Sequence, residues 1–152
     1  MKSTLTIAPR PRTPQRGPAP EWAACGATWV LRHDPLSVRR ARRLTVAQLA
    51  LWSLHEHTED AELLVSELVT NALRHARGPI RLTLALHPAG GGLRCEVEDG
   101  DPAPPRVQHA SEEDESGRGL HLLELLSHCW GSSTTAVGKV VWFELLAGAA
   151  AA

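Results

Sequence analysis

Residues 62–76, Glu-Leu-Leu-Val-Ser-Glu-Leu-Val-Thr-Asn-Ala-Leu-Arg-His-Ala, constrain this chain more than any other stretch. Neither Gly nor Pro interrupts the run, and its Leu, Ala and Glu favour helix, so the segment predicts a helix. Within it Glu67, Asn71 and His75 recur at i, i+4 and i+8. At about 100° per residue each step of four drifts by about 40°, so the three side chains form one slanting polar row. Leu64, Leu68 and Ala72 flank that row, which sets the polar groups beside an apolar surface rather than in open solvent. Taken alone, the pattern also fits a helix with a hydrogen-bonded buried Asn and an ordinary surface Glu and His.

The flanking sequence supplies one domain's worth of elements, as 152 residues should. Residues 1–20 carry Pro9, Pro11, Pro14, Pro18 and Pro20 with Arg10, Arg12 and Arg16, and so little apolar area that a disordered or extended tail is expected. Residues 27–32 read as a strand, after which Asp34 and Pro35 form a helix start, with Asp34 as the N-cap. A helix is predicted from Leu36 to about His55, on the apolar spacing of Val38, Leu44, Leu49, Trp52 and Leu54. Thr58 is the expected cap of the next helix, the one carrying the polar row, and Gly78-Pro79 ends it near Arg77. Residues 80–87 and 93–98 alternate as half-buried strands around the turn Pro88–Gly92.

Residues 100–116 then form a long loop, rich first in proline (Pro102, Pro104, Pro105) and then in acid (Glu112 to Glu115), of the length that usually marks a lid. A helix from Leu120 to about His128 and a hairpin, Cys129–Val137 and Val140–Leu146 turning at Gly138, complete the domain at 27–146. Residues 147–152 are an Ala-rich tail expected to fray. The fold class expected is α+β: a two-layer sandwich whose mostly antiparallel sheet is covered on one face by helices.

Charge excludes the simplest partners. Lys plus Arg (16) against Asp plus Glu (17) leave net charge −1, so no global field draws the chain to nucleic acid or an anionic membrane. The local cluster Arg39, Arg40, Arg42 and Arg43 lacks a groove-reading motif, and reads as a solvated face or a contact for a protein partner. Cys25, Cys95 and Cys129 are odd in number and contain no Cys-x-x-Cys, which suits free buried thiols in a reducing cytoplasm. No apolar run reaches the roughly 18 residues of a membrane-spanning helix, so a cytoplasmic location is expected. Apart from Lys2 and Lys139 the basic residues are all Arg, a skew typical of GC-rich bacterial genomes. His55-Glu56-His57 places its histidines at i and i+2, not the i and i+4 of a helical zinc site.

Three motifs occur in order: Glu67 to His75 on a helix, Val97-Glu98-Asp99-Gly100-Asp101 at a strand end, and Gly117-Arg118-Gly119-Leu120 opening a later helix. No Walker-type Gly-Lys-Ser/Thr or Gly-x-Ser-x-Gly is present. In this order the motifs resemble the ATP-binding fold of gyrase, heat-shock chaperone, histidine kinase and mismatch-repair ATPases. Within that superfamily the chain looks most like the bacterial anti-sigma-factor serine kinases, over roughly residues 27–146.

The resemblance implies roles. Asn71 matches the ligand of Mg²⁺, an ion that takes oxygen donors, keeps waters and needs few protein ligands. Glu67 matches the general base of phosphoryl transfer, and His75 a position that supports phosphates or the helix face. Asp99, with Gly100, matches the acceptor of the adenine amino group. Gly117, Arg118, Gly119 and Leu120 match the turn whose amides and arginine approach the phosphates. Two departures are visible: Asp99-Gly100-Asp101-Pro102 moves the glycine of the usual Asp-x-Gly and adds an acid, and Val140 replaces a small hydroxyl residue near the base.

The function implied is that of an ATP- and Mg²⁺-binding regulatory serine/threonine kinase acting on an anti-anti-sigma partner and binding a sigma factor. No direct nucleic-acid or membrane contact is implied, and homodimerisation is left open. The alternative is a nucleotide-binding module that sequesters a partner without turnover. A sensor histidine kinase fragment fits less well, because His33, at a strand end, is no phosphoacceptor setting. Because residues 1–20 offer little to bury, their deletion is expected to shift the melting temperature by less than about 2 °C, as scanning calorimetry will report.

Overall fold

The computed structural model describes residues 25–88, 90–101 and 115–146, with the backbone alone at 115–120. The N-terminal tail, most of the proline-rich acidic loop and the Ala-rich tail therefore lie outside the described residues. Strand β1 (Gly26–Leu31) leads to helix α1 (Leu36–Leu51), a 3₁₀ turn at His55–His57 and helix α2 (Thr58–His75). Strands β2 (Ile80–Leu86) and β3 (Leu93–Asp99) follow, then helix α3 (Glu115–Leu126) and strands β4 (Cys129–Thr134) and β5 (Lys139–Leu145). The strands form one sheet in the order β1-β2-β3-β5-β4, every neighbouring pair antiparallel. This is the expected α+β layer fold.

Alternation along the strands builds the core. Ile80, Leu82 and Leu84 of β2, Leu93, Cys95 and Val97 of β3, and Val141, Phe143 and Leu145 of β5 are buried. Cross-strand pairs such as Leu82 with Val97 and Cys95 with Phe143 align these residues on one face. Against them pack Ala61, Leu64, Val65, Leu68, Val69 and Ala72 of α2, with Ala41 and Leu49 of α1 and Leu123 of α3, in one cluster. The other face of the sheet is polar and aromatic. There Arg94 pairs with Glu96 (3.1 Å) and Glu144 (2.6 Å) and stacks on Trp142, 4.2 Å from the ring centroid.

Boundaries differ from expectation where a backbone device carries no sequence label. Helix α1 stops at Leu51, not His55, in a Schellman-type cap: Ser53 N–H donates to Ala50 O and Leu54 N–H to Leu49 O. Ser53, at φ 57°, occupies the left-handed position that Gly usually takes, so nothing in the sequence announced the stop. At its start, Asp34 Oδ1 accepts the Leu36 N–H at 2.8 Å, as a capping residue does, although Pro35 is the position preceding the first helical residue. Thr58 does not cap α2. It is the helix's first residue, and its hydroxyl donates backwards to Leu54 O at 3.4 Å, while Glu59 and Asp60 complement the helix dipole. Helix α3 begins at Glu115, five residues before Leu120, and β4 ends at Thr134. Cys25 is exposed rather than buried, Cys95 is buried and Cys129 is half-buried.

The β4–β5 hairpin turns through a bond from Thr135 N–H to Gly138 O and one from Gly138 N–H to Thr135 Oγ1 at 3.0 Å. Gly138 runs directly against the end of β3: a Cβ there would collide with the Asp99 carbonyl and stand 2.7 Å from Gly100 Cα. Neither obstacle is a side chain that can swing away. Gly138→Ala is therefore expected to lower stability by about 1–3 kcal/mol in urea unfolding, the usual range for overpacking against a rigid neighbour.

Candidate nucleotide site

Helix α2 carries the candidate groups because its burial is one-sided. With Leu64, Leu68 and Ala72 buried, Glu67 and Asn71 sit half-buried on the flank of the apolar stripe. Two drifts of about 40° carry the row outward, and His75 is exposed. Among the described residues Glu67 and Asn71 make no side-chain hydrogen bond or ion pair, so both oxygens are available to a ligand. The C-terminal end of the helix is held by His33, whose Nε2 lies 3.0 Å from Leu73 O and 2.8 Å from Ala76 O. Two carbonyl acceptors require that nitrogen to carry the proton.

Beyond that end lies the second part of the site. A Cβ on Gly100 would stand 3.1 Å from Arg77 O, so the corner after β3 abuts the chain leaving α2. Asp99, the last residue of β3, is 5% exposed and continues the inward-facing row of Leu93, Cys95 and Val97. Its cross-strand partner is Lys139, itself 7% exposed. Lys139 Nζ lies 3.1 Å from both Asp99 carboxylate oxygens, and also donates to Asp101 O at 3.2 Å. The Asp101 carboxylate is 3.8 Å away, and Asp101 N–H donates to Asp99 Oδ1 at 2.8 Å. The added acid of the Asp99-Gly100-Asp101 sequence thus helps to hold an ammonium group.

Sequence reading passed over Lys139 and looked one residue further, to Val140. The register corrects that: Val140 pairs with Glu98 on the outer face, and Lys139 faces Asp99. The available signal was a lysine, in a chain whose bases are otherwise nearly all Arg, entering a strand of alternating apolar residues.

The glycine motif is placed differently from expectation. Since α3 starts at Glu115, Gly117, Arg118, Gly119 and Leu120 lie within its first two turns rather than ahead of it. Free helix amides belong to the first residues of a helix, so the segment still contributes to an anion-favouring terminus.

Other candidates resolve into structural roles. His55 is exposed and buried His57 bonds Gly91 O at 2.8 Å, so His55-Glu56-His57 braces the β2–β3 turn. Among the described residues no group of three or more His, Cys, Asp or Glu is arranged to hold a metal ion, and no helix is long and apolar enough to cross a membrane. Burial, then the neighbouring Glu144 carboxylate, pushes the Cys129 thiol up to about 12, and burial raises Cys95 too, which removes both as nucleophiles at neutral pH. The arginines of α1 line an open groove of about 440 Å³ with Arg39, Arg42, Arg43, Val46, Ala47 and Glu62. Arg42 donates to Glu62 at 2.9 Å there, at the opposite end of α2 from Asp99.

These features define the class: an α+β domain with helices layered on one face of an open antiparallel sheet. Within it the chain belongs to the histidine kinase-like ATPase domain family, whose model matches residues 31–145, from the end of β1 to the end of β5. No curated protein matches the sequence.

The charge pair makes a sharp stability statement. Lys139→Met would strand a carboxylate with little solvent, and is expected to cost about 3–5 kcal/mol in urea unfolding. The double variant Asp99→Asn with Lys139→Met removes both charges and is expected to recover most of that loss.

Proposed function

We infer that this protein is an ATP- and Mg²⁺-binding regulatory serine/threonine kinase of the anti-sigma-factor type. The observation that carries the reading is the pairing of half-buried Glu67 and Asn71 on α2, unengaged among the described residues, with the buried carboxylate of Asp99 beyond the end of that helix. Family membership points to ATP as the nucleotide. In this reading Asp99 and Gly100 contact the base, and Asn71 offers its amide oxygen to Mg²⁺. Gly117, Arg118, Gly119 and Leu120 lie along the phosphates, and His75 supports that end of the helix.

The residues present fit the ion: a neutral amide oxygen on a rigid helix, unengaged by any described side chain, suits a cation that keeps most of its waters. When bound, ATP with Mg²⁺ supplies an activated phosphoryl group whose charge is already partly neutralised. Glu67 then accepts the proton of an attacking serine hydroxyl on a small anti-anti-sigma partner. The arginine groove of α1, far from the base site, is the surface on which a protein partner such as a sigma factor would sit. A bacterial cytoplasm suits both partners, and a homodimer is compatible with it.

The second reading is a nucleotide-binding module that sequesters its partner without phosphoryl transfer. The Asp99–Lys139 ion pair is compatible with both readings. Glu67→Gln separates the two. The change keeps size and hydrogen bonding but removes the proton acceptor, so ATP affinity by calorimetry is expected to survive. Transfer of radiolabelled phosphate to the partner serine is expected to fall by about 10²–10⁴-fold. A parent protein that binds ATP and partner yet labels no partner would leave only the sequestering module.

A further inference from the structure

We propose that Lys139 is a positioning residue of the nucleotide site: it clamps the Asp99 carboxylate so that a single acceptor, on Oδ2, is left for one N–H donor of the base. The proposal rests on the reading of Asp99 as the acceptor of the base amino group. It starts from the pair's placement. Asp99 and Lys139 are directly opposed on neighbouring strands, and both are buried on the helix-facing side of the sheet. The corner that follows Asp99 abuts the chain leaving α2, where a Cβ on Gly100 would stand 3.1 Å from Arg77 O.

The clamp follows from matching donors to acceptors. An ammonium has three donors and no acceptor, and a carboxylate has about four acceptor sites, shared between its two oxygens. Lys139 Nζ stands 3.1 Å from Asp99 Oδ1 and 3.1 Å from Oδ2, and it donates to Asp101 O at 3.2 Å. Its donors are thereby used, so Lys139 itself has nothing to offer a ligand. Asp99 Oδ1 receives a second bond, from Asp101 N–H at 2.8 Å, whereas Oδ2 receives Lys139 alone. Among the described residues the one acceptor site left open therefore belongs to Oδ2.

Held in this way, the carboxylate cannot turn about its Cβ–Cγ bond without breaking charge-assisted bonds on both oxygens at once. The clamp is itself anchored to backbone, since Asp101 O takes the ammonium and Asp101 N–H takes the carboxylate. A carboxylate without the ammonium would be free to rotate, and would lose that freedom each time a base bound. One that is already fixed presents its open acceptor with the ordering cost met in advance. It takes one N–H, which is what the amino group of adenine brings to it.

The test uses the full chain with Mg²⁺ and two nucleotides that differ only in the amino group: ATP, and purine riboside 5′-triphosphate, which carries hydrogen in its place. Binding is measured by calorimetry for the parent and for Lys139→Met. The parent is expected to bind ATP roughly 10–100-fold more tightly than the other nucleotide, the share of a hydrogen bond to a charged group. In Lys139→Met that ratio is expected to fall to within about threefold, because the acceptor is no longer held in place. A merely structural role for Lys139 would weaken both nucleotides alike and preserve the ratio. A second measurement needs only the parent. Lys2 and Lys139 are the only lysines, so ¹⁵N-labelling of lysine side chains gives two ammonium resonances, told apart with Lys2→Arg. The Lys139 resonance is expected to show protons protected from exchange in the empty protein, and to keep that protection when ATP saturates the site.

An unchanged ratio in folded Lys139→Met, or Lys139 ammonium protons that exchange freely once ATP is bound, overturns the positioning role while leaving Asp99 as a base acceptor intact. A parent that binds the two nucleotides equally, or binds neither, overturns the reading of Asp99 and the proposal with it. Because the resonance is observed on the parent, the outcome stands even if Lys139→Met fails to fold.

Discussion

The packing of one side of α2 on the inner face of the sheet is the constraint on which the other features depend. Leu64, Val65 and Val69 are fully excluded from solvent, and Leu68 and Ala72 nearly so. Burying an aliphatic side chain of this size contributes on the order of 1.5–3 kcal/mol, so this stripe alone outweighs any single polar contact in the molecule. A helix anchored by one stripe has no freedom to rotate. The angular position of Glu67 and Asn71, four and eight residues after Leu63, is then decided by the apolar residues beside them. The polar row is held at the margin of the core as a consequence, with no bonds of its own required.

The Asp99–Lys139 pair is of a different kind. Two charges taken out of water cost several kcal/mol each in desolvation, and their mutual attraction repays that only when geometry is good. Here the geometry is good: both carboxylate oxygens lie at 3.1 Å from Nζ, and the Asp101 carbonyl and amide take up part of the remaining capacity. Even so, two apolar residues at these inward positions would hold β3 to β5 at least as well. The neighbouring pairs Val97 with Val141 and Cys95 with Phe143 do just that. Stability is therefore a weak reason for the pair. Departures from the local packing rule concentrate where a site needs them.

Most of the fold could be read from pattern because two periodicities are clean. Residues 62–76 repeat at helical spacing without a breaker, and residues 80–98 alternate on either side of a glycine turn whose Gly90 and Gly91 adopt φ of 80° and 78°. What escaped was set by backbone geometry or by register. Ser53 takes a left-handed conformation that its side chain does not advertise, and α1 ends four residues early as a result. Helix α3 runs through Gly117 and Gly119, two residues that read as a loop. Lys139 was hidden for a third reason. Its place depends on which β3 residue it faces, and β3 and β5 are no hairpin: α3 and β4 lie between them in sequence, so no turn motif fixes their register.

The tight passage of Gly138 beside Asp99 ties the two halves of the site together. Asp99 and Gly100 are bounded by Gly138 on one side and by the Arg77 carbonyl on the other. The chain at Arg77 leaves a helix whose last carbonyls are bound by His33 from the β1–α1 connection. At Gly100 the approaches of Gly138 and of the Arg77 carbonyl are backbone contacts, which cannot relax by rotamer changes, and the His33 imidazole ties in the β1–α1 connection. The Asp99 carboxylate and the Lys139 ammonium are held there at a fixed depth and separation. The same rigidity acts on the row on α2: among the described residues the scaffold, and not a network of side-chain bonds, keeps Glu67 and Asn71 in place.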